Sequence, residues 1–366
     1  MKINNVVREI FKMQIKVTKR EELKEKPDFA DLPFAKYYSD YMFQMKWTEE
    51  KGWFDAEILP HGPITLEPSA MVFHYGLETF EGMKAYKNDK GEVTLFRPLD
   101  NFNRMNRSND RLCMPAINPE EVLEALKELL KLDSEWIPTE PGTSLYIRPF
   151  TMGTEPLLVI KPASECLFMI ICTPVGAYCG QGLTPTDIYI ESDYVRATEG
   201  GTGEAKCGGN YAASIKPYHQ VAQKGYAQVL FLDAKEKKYI EEIGSSNVMF
   251  VINDTLVTPS LSGTILAGIT RDTILTIARD KGYKVEERMI TIDEVVEAHA
   301  NNTLTEVFAT GTAAIISSIG KLTYKGKDMI INDYKIGEKT QELYDTILGI
   351  QTGKIEDKFG WVVKVN

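Results

Sequence analysis

The segment EGGTGEAKCGGNY, Glu199–Tyr211, sets five glycines around one lysine, Lys206. Glycine lets a backbone approach a ligand closely and take positive φ. Three readings compete. A mobile surface loop needs nothing beyond this composition. A nucleotide-binding P-loop needs Ser or Thr after its lysine; Cys207 stands there instead, and the reading fails. The third is a Schiff-base lysine in a desolvated pocket, its amine made nucleophilic by a lowered pKa. Composition leaves loop and site equally open.

Working outward, three further stretches could serve such a lysine. Glu241–Asn247, EEIGSSN, follows an expected strand at Val229–Leu232. It is either a solvated acidic turn or the source of a carboxylate that pairs with a protonated pyridine nitrogen. Gly268-Ile269-Thr270-Arg271 precedes an expected helix, Arg271–Lys281, closed by Gly282. A glycine and free N–H groups at a helix start make either a plain cap or an anion site. Thr310-Gly311-Thr312-Ala313-Ala314 follows the apolar run Val307–Ala309. Its small residues and hydroxyls suit a phosphate, a carboxylate or a tight turn.

The rest reads as alternating strands and helices from Phe34 onward. Pro119–Leu132 is an expected helix, with Asn118 as cap, Pro119 at its first position, and Val122, Leu123, Leu126, Leu129 and Leu130 as an apolar stripe. Strands are expected at Leu145–Phe150, Cys166–Thr173, Asp187–Glu191 and Val248–Ile252. The last turns at Asn253-Asp254 into Leu256–Thr258, a hairpin signal. The Gly-rich GAYCGQGLT at 176–184 is read as a linker between lobes.

Bulk numbers narrow the class. A chain of 366 residues favours two packed lobes, and 43% hydrophobic with 26% charged residues is globular composition. A net charge of -10 argues against a nucleic-acid or anionic-membrane binder. No run reaches the roughly 18 apolar residues of a membrane span, and the N-terminus lacks the apolar core of a secretory signal. Five cysteines without a CxxC, and four scattered histidines, speak for a reducing compartment without a disulfide framework or metal site. A cytoplasmic location is expected.

Taken in order, FHYGLETFEGMKAY, LFRPLDNFNRMNRS, GTSLYIRP, EAKCGGNY, EEIGSSN, LAGITR and FATGTAA resemble the branched-chain amino-acid aminotransferases, in fold-type IV of the pyridoxal-phosphate enzymes. The match runs from about Phe34 to the C-terminus. It implies an α/β fold of two domains: an N-terminal α/β domain (1–175), an interdomain loop (176–190) and a pseudo-barrel C-terminal domain (191–366), with the cofactor between them. It implies pyridoxal 5'-phosphate as cofactor and transamination of leucine, isoleucine and valine with 2-oxoglutarate. Lys206 would be the Schiff-base lysine and proton shuttle. Tyr211 would bond the cofactor's phenolic oxygen and Glu242 its pyridine nitrogen. Arg104 would hold the phosphate, with Gly268, the N–H groups of Ile269 and Thr270, and Thr312. The substrate carboxylate would sit on Thr312-Ala313 with help from Tyr146, and Arg148 would serve the second carboxylate of glutamate. Phe34, Tyr75, Phe80, Tyr146 and Tyr178 would wall an apolar pocket, Tyr75 reaching in from the partner of a homodimer.

The chain departs from the family in places. Ala314 and Ser317 occupy the positions of a CxxC found in some members, so that thiol switch is expected to be absent. Ser245 replaces a common threonine and should keep the hydroxyl. Glu81 and Gly82 read as structural, and Cys207 receives no chemistry. A D-amino-acid aminotransferase or aminodeoxychorismate lyase on the same fold stays open, although YIRP around Tyr146 and Arg148 disfavours both. A catalytically silent protein is disfavoured by the intact Lys206, Glu242, Tyr211 and Arg104.

Overall fold

The computed structural model describes residues 13–88, 90–176 and 183–365. Two nine-stranded sheets organise them. The first runs Lys16–Val17, Gly52–Pro60, Tyr41–Thr48, Glu165–Val175, Ser144–Gly153, Met83–Lys87, Val93–Phe96, Val362–Lys364, with Glu78–Phe80 also pairing on Ser144–Gly153. Its neighbours are antiparallel, apart from the short edge strand Lys16–Val17. Side chains alternate across a strand. Leu145 and Ile147 therefore enter a core with Phe168 and Ile170, under the helices Pro98–Arg111 and Pro119–Leu132. Tyr146 and Arg148 take the opposite face, with Lys84 in register opposite Tyr146. That face carries the polar side chains of the candidate site.

The second sheet runs Ile240–Ile243, Gln228–Leu232, Thr186–Ile190, Ile315–Tyr324, Leu304–Gly311, Asn247–Ile252, Thr255–Pro259, Val285–Arg288, and Lys327–Ile330 pairs on Ile315–Tyr324. One of the two sheets forms a half-barrel. Val248, Phe250 and Ile252 of the second sheet fill a core with Leu230, Val307, Ile319 and the helix residues Ile292 and Val295. Met249 and Val251 face the other way, into a core with Ile274 and Ile277 of the helix Ile269–Asp280 and Leu343 and Ile347 of the helix Glu338–Gln351. A strand buried on both faces reads as one continuous apolar run, as this one does.

Several expectations hold with shifted ends. Asn118 caps Pro119–Leu132 by accepting from the N–H groups of Glu120 and Glu121. Asn253 and Asp254 both take positive φ, 49° and 62°, between antiparallel strands, the twist that a two-residue hairpin demands. The helix expected at Arg271 starts at Ile269, because a helix's first residues carry no apolar period. Thr186–Ile190, inside the range read as an interdomain loop, is a central strand of the second sheet. The C-terminal Val362–Lys364 returns to the first sheet, against Val93–Phe96. Tyr178, and most of the 176–184 linker, lie outside the described residues. Among the described residues, no helix is long and apolar enough to cross a membrane.

Candidate active site

Lys206 lies directly before Cys207, the N-cap of the helix Gly208–Ala222. Its backbone is held from two sides. The N–H of Lys206 donates to Ser108 Oγ at 2.8 Å, and its carbonyl accepts from the N–H of Phe80 at 3.0 Å. Thr79 bridges Cys207, and the N–H of Gly208 donates to Glu78 Oε1 at 2.5 Å. A Cβ at residue 208 would collide with that carboxylate, so the glycine is a requirement of close approach. Lys206 Nζ donates to Tyr211 OH at 2.8 Å and lies 4.8 Å from the Phe80 ring centroid.

Glu242 is 2% exposed. Its Oε1 accepts from Arg196 Nη2 at 3.3 Å and from the N–H of Leu266. Burial pushes its pKa up, while the charge of Arg196, the Leu266 N–H and the charge of Lys206 pull it back. Its Oε2 has no hydrogen bond among the described residues. Arg196, 7% exposed, also donates to the carbonyls of Gly203 and Thr264. Sequence reading missed this residue. A lone arginine in SDYVRATEG forms no motif, and only the need of a buried glutamate for a cation could have pointed to it.

Arg104 is 4% exposed and bidentate to Glu81, Nε to Oε1 and Nη2 to Oε2, both at 2.8 Å. The edge of the fork expected to face a phosphate is thus taken by a fully buried carboxylate, and Glu81 proves to be the residue that fixes the arginine. Nη1 donates to Ala267 O at 3.1 Å. This sets the remaining guanidinium N–H groups beside the start of the Ile269–Asp280 helix, where the first-turn N–H groups have no intrahelical partner. Asn247 Oδ1 presses on Gly268, leaving no room for a Cβ there. Thr312 and Ala313 occupy a turn closing at Ile315, whose φ of 65° is unusual for a β-branched residue. Thr310 Oγ1 ties that turn by donating to Ile315 O at 3.0 Å. Ile269, Thr270 and Thr312 share a cavity of about 20 Å³ with Lys84.

The aromatic wall is partly assembled. Tyr146 packs edge-on to Phe34 at 5.5 Å and its OH accepts from Arg148 Nη2 at 3.2 Å. Gly82 allows that hydroxyl to reach the backbone. Arg148 lies 4.7 Å over the Phe80 ring, donates to Glu81 O, and has no ion pair among the described residues. Phe80 and Tyr211 rings are 4.9 Å apart. Tyr75 is 38% exposed at the end of the short helix Met71–Tyr75, its ring against His74 and away from this cluster. Ser245 is exposed, in the turn that packs on Gly311.

The chain matches the family model for amino-transferase class IV over residues 78–322. It is 48% identical to branched-chain-amino-acid aminotransferase 2 of Bacillus subtilis (strain 168), covering 97% of this chain and 98% of that one. Among solved structures, the Escherichia coli branched-chain amino acid aminotransferase matches with a TM-score of 0.75 at 26% identity, over 89% of this chain and 99% of that one. The branched-chain aminotransferase of the archaeon Thermoproteus uzoniensis with norvaline matches with a TM-score of 0.73 at 25% identity, over 88% and 100%.

Proposed function

The chain belongs to the class IV aminotransferase family, and from that premise we propose that it moves the amino group of L-leucine, L-isoleucine or L-valine to 2-oxoglutarate, with pyridoxal 5'-phosphate as cofactor. The observation that carries the reading is the Lys206 Nζ to Tyr211 OH contact of 2.8 Å, set between the buried carboxylate of Glu242 and the anion corner at Ile269 and Thr270. The residues fit that cofactor. Glu242 is buried, yet its Oε2 is unbonded, the arrangement a protonated ring nitrogen would complete. Bound there, the cofactor supplies a carbonyl for capture of the amino group and a ring that takes up the electron pair left at Cα.

The chain's own groups do the rest. Lys206 Nζ takes the proton from Cα as base and, as acid, would give it back two atoms away, on the carbon beyond the amino nitrogen. Tyr211 holds Nζ in place between these moves. Arg196 and the Leu266 N–H offset part of the burial that raises the pKa of Glu242, and its carboxylate would hold a proton at the ring nitrogen. Arg104, the N–H groups of Ile269 and Thr270, and Thr312 grip the phosphate, aided by the helix dipole. The Thr312-Ala313 turn takes the substrate carboxylate with Tyr146. Phe34, Phe80 and Tyr146 pack the branched side chain, and Arg148, without an ion pair among the described residues, receives the second carboxylate of glutamate.

The reading extends to assembly. It divides the chain into two lobes built on the two sheets, the second starting by Thr186 and the C-terminal strand Val362–Lys364 returning to the first, places it in the cytoplasm, and makes it a homodimer in which Tyr75 serves the neighbouring site. The exposed Tyr75 and the four unpaired cysteines among the described residues support this. Purified protein should turn over leucine, isoleucine and valine with 2-oxoglutarate. Lys206→Ala should lose about 10²–10⁴-fold in kcat, together with the visible absorbance of the cofactor-loaded wild type. No turnover of any of the three amino acids would overturn the reading.

A further inference from the structure

Lys84 is used by nothing above. It stands on Met83–Lys87, opposite Tyr146 in register, on the face of the sheet that looks toward the second lobe. Its ammonium donates to Ala313 O at 2.6 Å, across 229 residues of chain. It has no carboxylate partner among the described residues, and burial lowers its pKa to about 8. It lines the same small cavity as Ile269, Thr270 and Thr312. Of the other cations near this site, Arg148 is assigned above to the second carboxylate of glutamate, and three have partners within the fold. Arg104 is bidentate to Glu81, Arg196 reaches Glu242, and Lys206 meets Tyr211. An ammonium with only a carbonyl to face is costly unless an anion arrives.

Two features say where that anion belongs. First, Lys84 holds the carbonyl side of the peptide that follows Ala313, within a turn kept in an unusual conformation at Ile315. Because the peptide is planar and trans, fixing that carbonyl also fixes the N–H of Ala314, which points the opposite way. Second, Lys84 shares its register with Tyr146, the hydroxyl that Arg148 orients.

We propose that Lys84 is a positioning residue for the substrate α-carboxylate. It anchors the Thr312-Ala313 turn through Ala313 O and supplies the positive charge that offsets the carboxylate bound on that turn. This rests on the transaminase reading given above. The same carboxylate is present on the amino acid and on the oxo acid, so Lys84 acts equally on both half-reactions and distinguishes neither side chain. Arg148 distinguishes them.

The test uses the cofactor-loaded enzyme and 4-methylpentanoate, which is leucine without its amino group and therefore binds without reacting. Lys84→Met keeps the apolar stem and removes donor and charge. Its dissociation constant for 4-methylpentanoate, and its KM for leucine and 2-oxoglutarate alike, should rise about 10- to 100-fold, the effect of losing a charged hydrogen-bonding partner. Saturating kcat and the affinity for pyridoxal 5'-phosphate should stay within about threefold. Lys84→Arg should recover much of the loss. Lys84→Gln keeps a donor without the charge and decides the matter should the methionine variant fold poorly; wild-type affinity in it overturns the proposal. So does an unchanged affinity for 4-methylpentanoate in Lys84→Met, or a fall in cofactor affinity as large as that for the carboxylate, which would assign Lys84 to the phosphate. A wild type inactive on every branched-chain amino acid removes the functional reading itself, whereas an active wild type with indifferent variants removes this inference alone.

Discussion

A buried charge stands or falls by its partner, and this chain contains several arrangements of one. Glu81 and Arg104 face each other as a bidentate pair, which satisfies both groups geometrically. Glu242 and Arg196 share one longer contact, and one oxygen stays open for use. Asp133 has neither arrangement. It is fully buried, Asp40 lies near, and the groups that face its carboxylate, Ser39 and the backbone N–H groups of Asp40 and Tyr41, do not form well-aligned hydrogen bonds with it. Burial pushes its pKa up to about 7; Ser39 and the backbone around Tyr41 offset only part of this. The sign follows from linkage. The folded chain holds this proton more tightly than the unfolded chain, whose carboxyl titrates near 3.8. Stability is therefore lost as pH rises from the unfolded value towards 7, and is level beyond. Asp133→Asn should remove that decline. Its melting temperature should match wild type near pH 4 and exceed it increasingly up to about pH 7, and parallel curves across the range would contradict the assignment. At this scale the sequence was legible where a residue sits in a motif, as Lys206, Tyr211, Glu242 and Arg104 do. It was silent on Arg196 and Lys84, because a pairing 46 or 229 residues apart is created by the fold and leaves no local pattern.

Elements announced themselves when one face is buried and both ends carry turn chemistry. The helix Pro119–Leu132 has Asn118, Pro119 and an apolar stripe, and it formed as read. The helix Gly208–Ala222 has none of these. It opens with two glycines, contains Pro217 and buries only Asn210, Pro217 and Val221. Its start is imposed from outside, by the strand Glu78–Phe80, through Glu78 Oε1 on the N–H of Gly208 and the bridge of Thr79 to Cys207. The same strand holds the carbonyl of Lys206. Glu78→Ala should thus cost about 1–3 kcal/mol, the usual penalty for leaving a partly buried donor such as the N–H of Gly208 without its partner, and lower kcat by loosening Lys206. Glu78→Gln, which retains an acceptor, should recover most of the stability. Thermal melts together with kcat for the two variants decide it: equal losses in both would mean that the charge, not the bond to Gly208, matters.

On the scale of the whole molecule, two sheets are clamped by chain that crosses between them: the Lys206 segment, the Lys84 to Ala313 contact, and the C-terminal strand Val362–Lys364 on the first sheet. What remains unclamped is one apolar surface. Phe73 and Tyr75 on the helix Met71–Tyr75 are 62% and 38% exposed, and Leu158, Val159 and Ile160 are 61%, 49% and 87% exposed. They form one region, because Ala70 bridges Pro156 and the N–H of Met71 donates to Glu155 O. A cluster of large apolar side chains on a chain with net charge -10 is costly in water and marks an interaction surface. The dimer proposed above, if formed two-fold through this face, would cover it with its own copy and would carry Tyr75 toward the neighbouring pocket. Light scattering of the cofactor-loaded protein should give twice the chain mass. Ile160→Lys should shift it toward one chain mass, because an ammonium cannot be buried unpaired there. Activity should fall with the dimer fraction as protein is diluted. Tyr75→Ala should instead keep the dimer and raise KM, because its loss opens the pocket without breaking the interface. A wild type that runs as a single chain at micromolar concentration with full activity would show that Tyr75 acts within its own subunit or not at all.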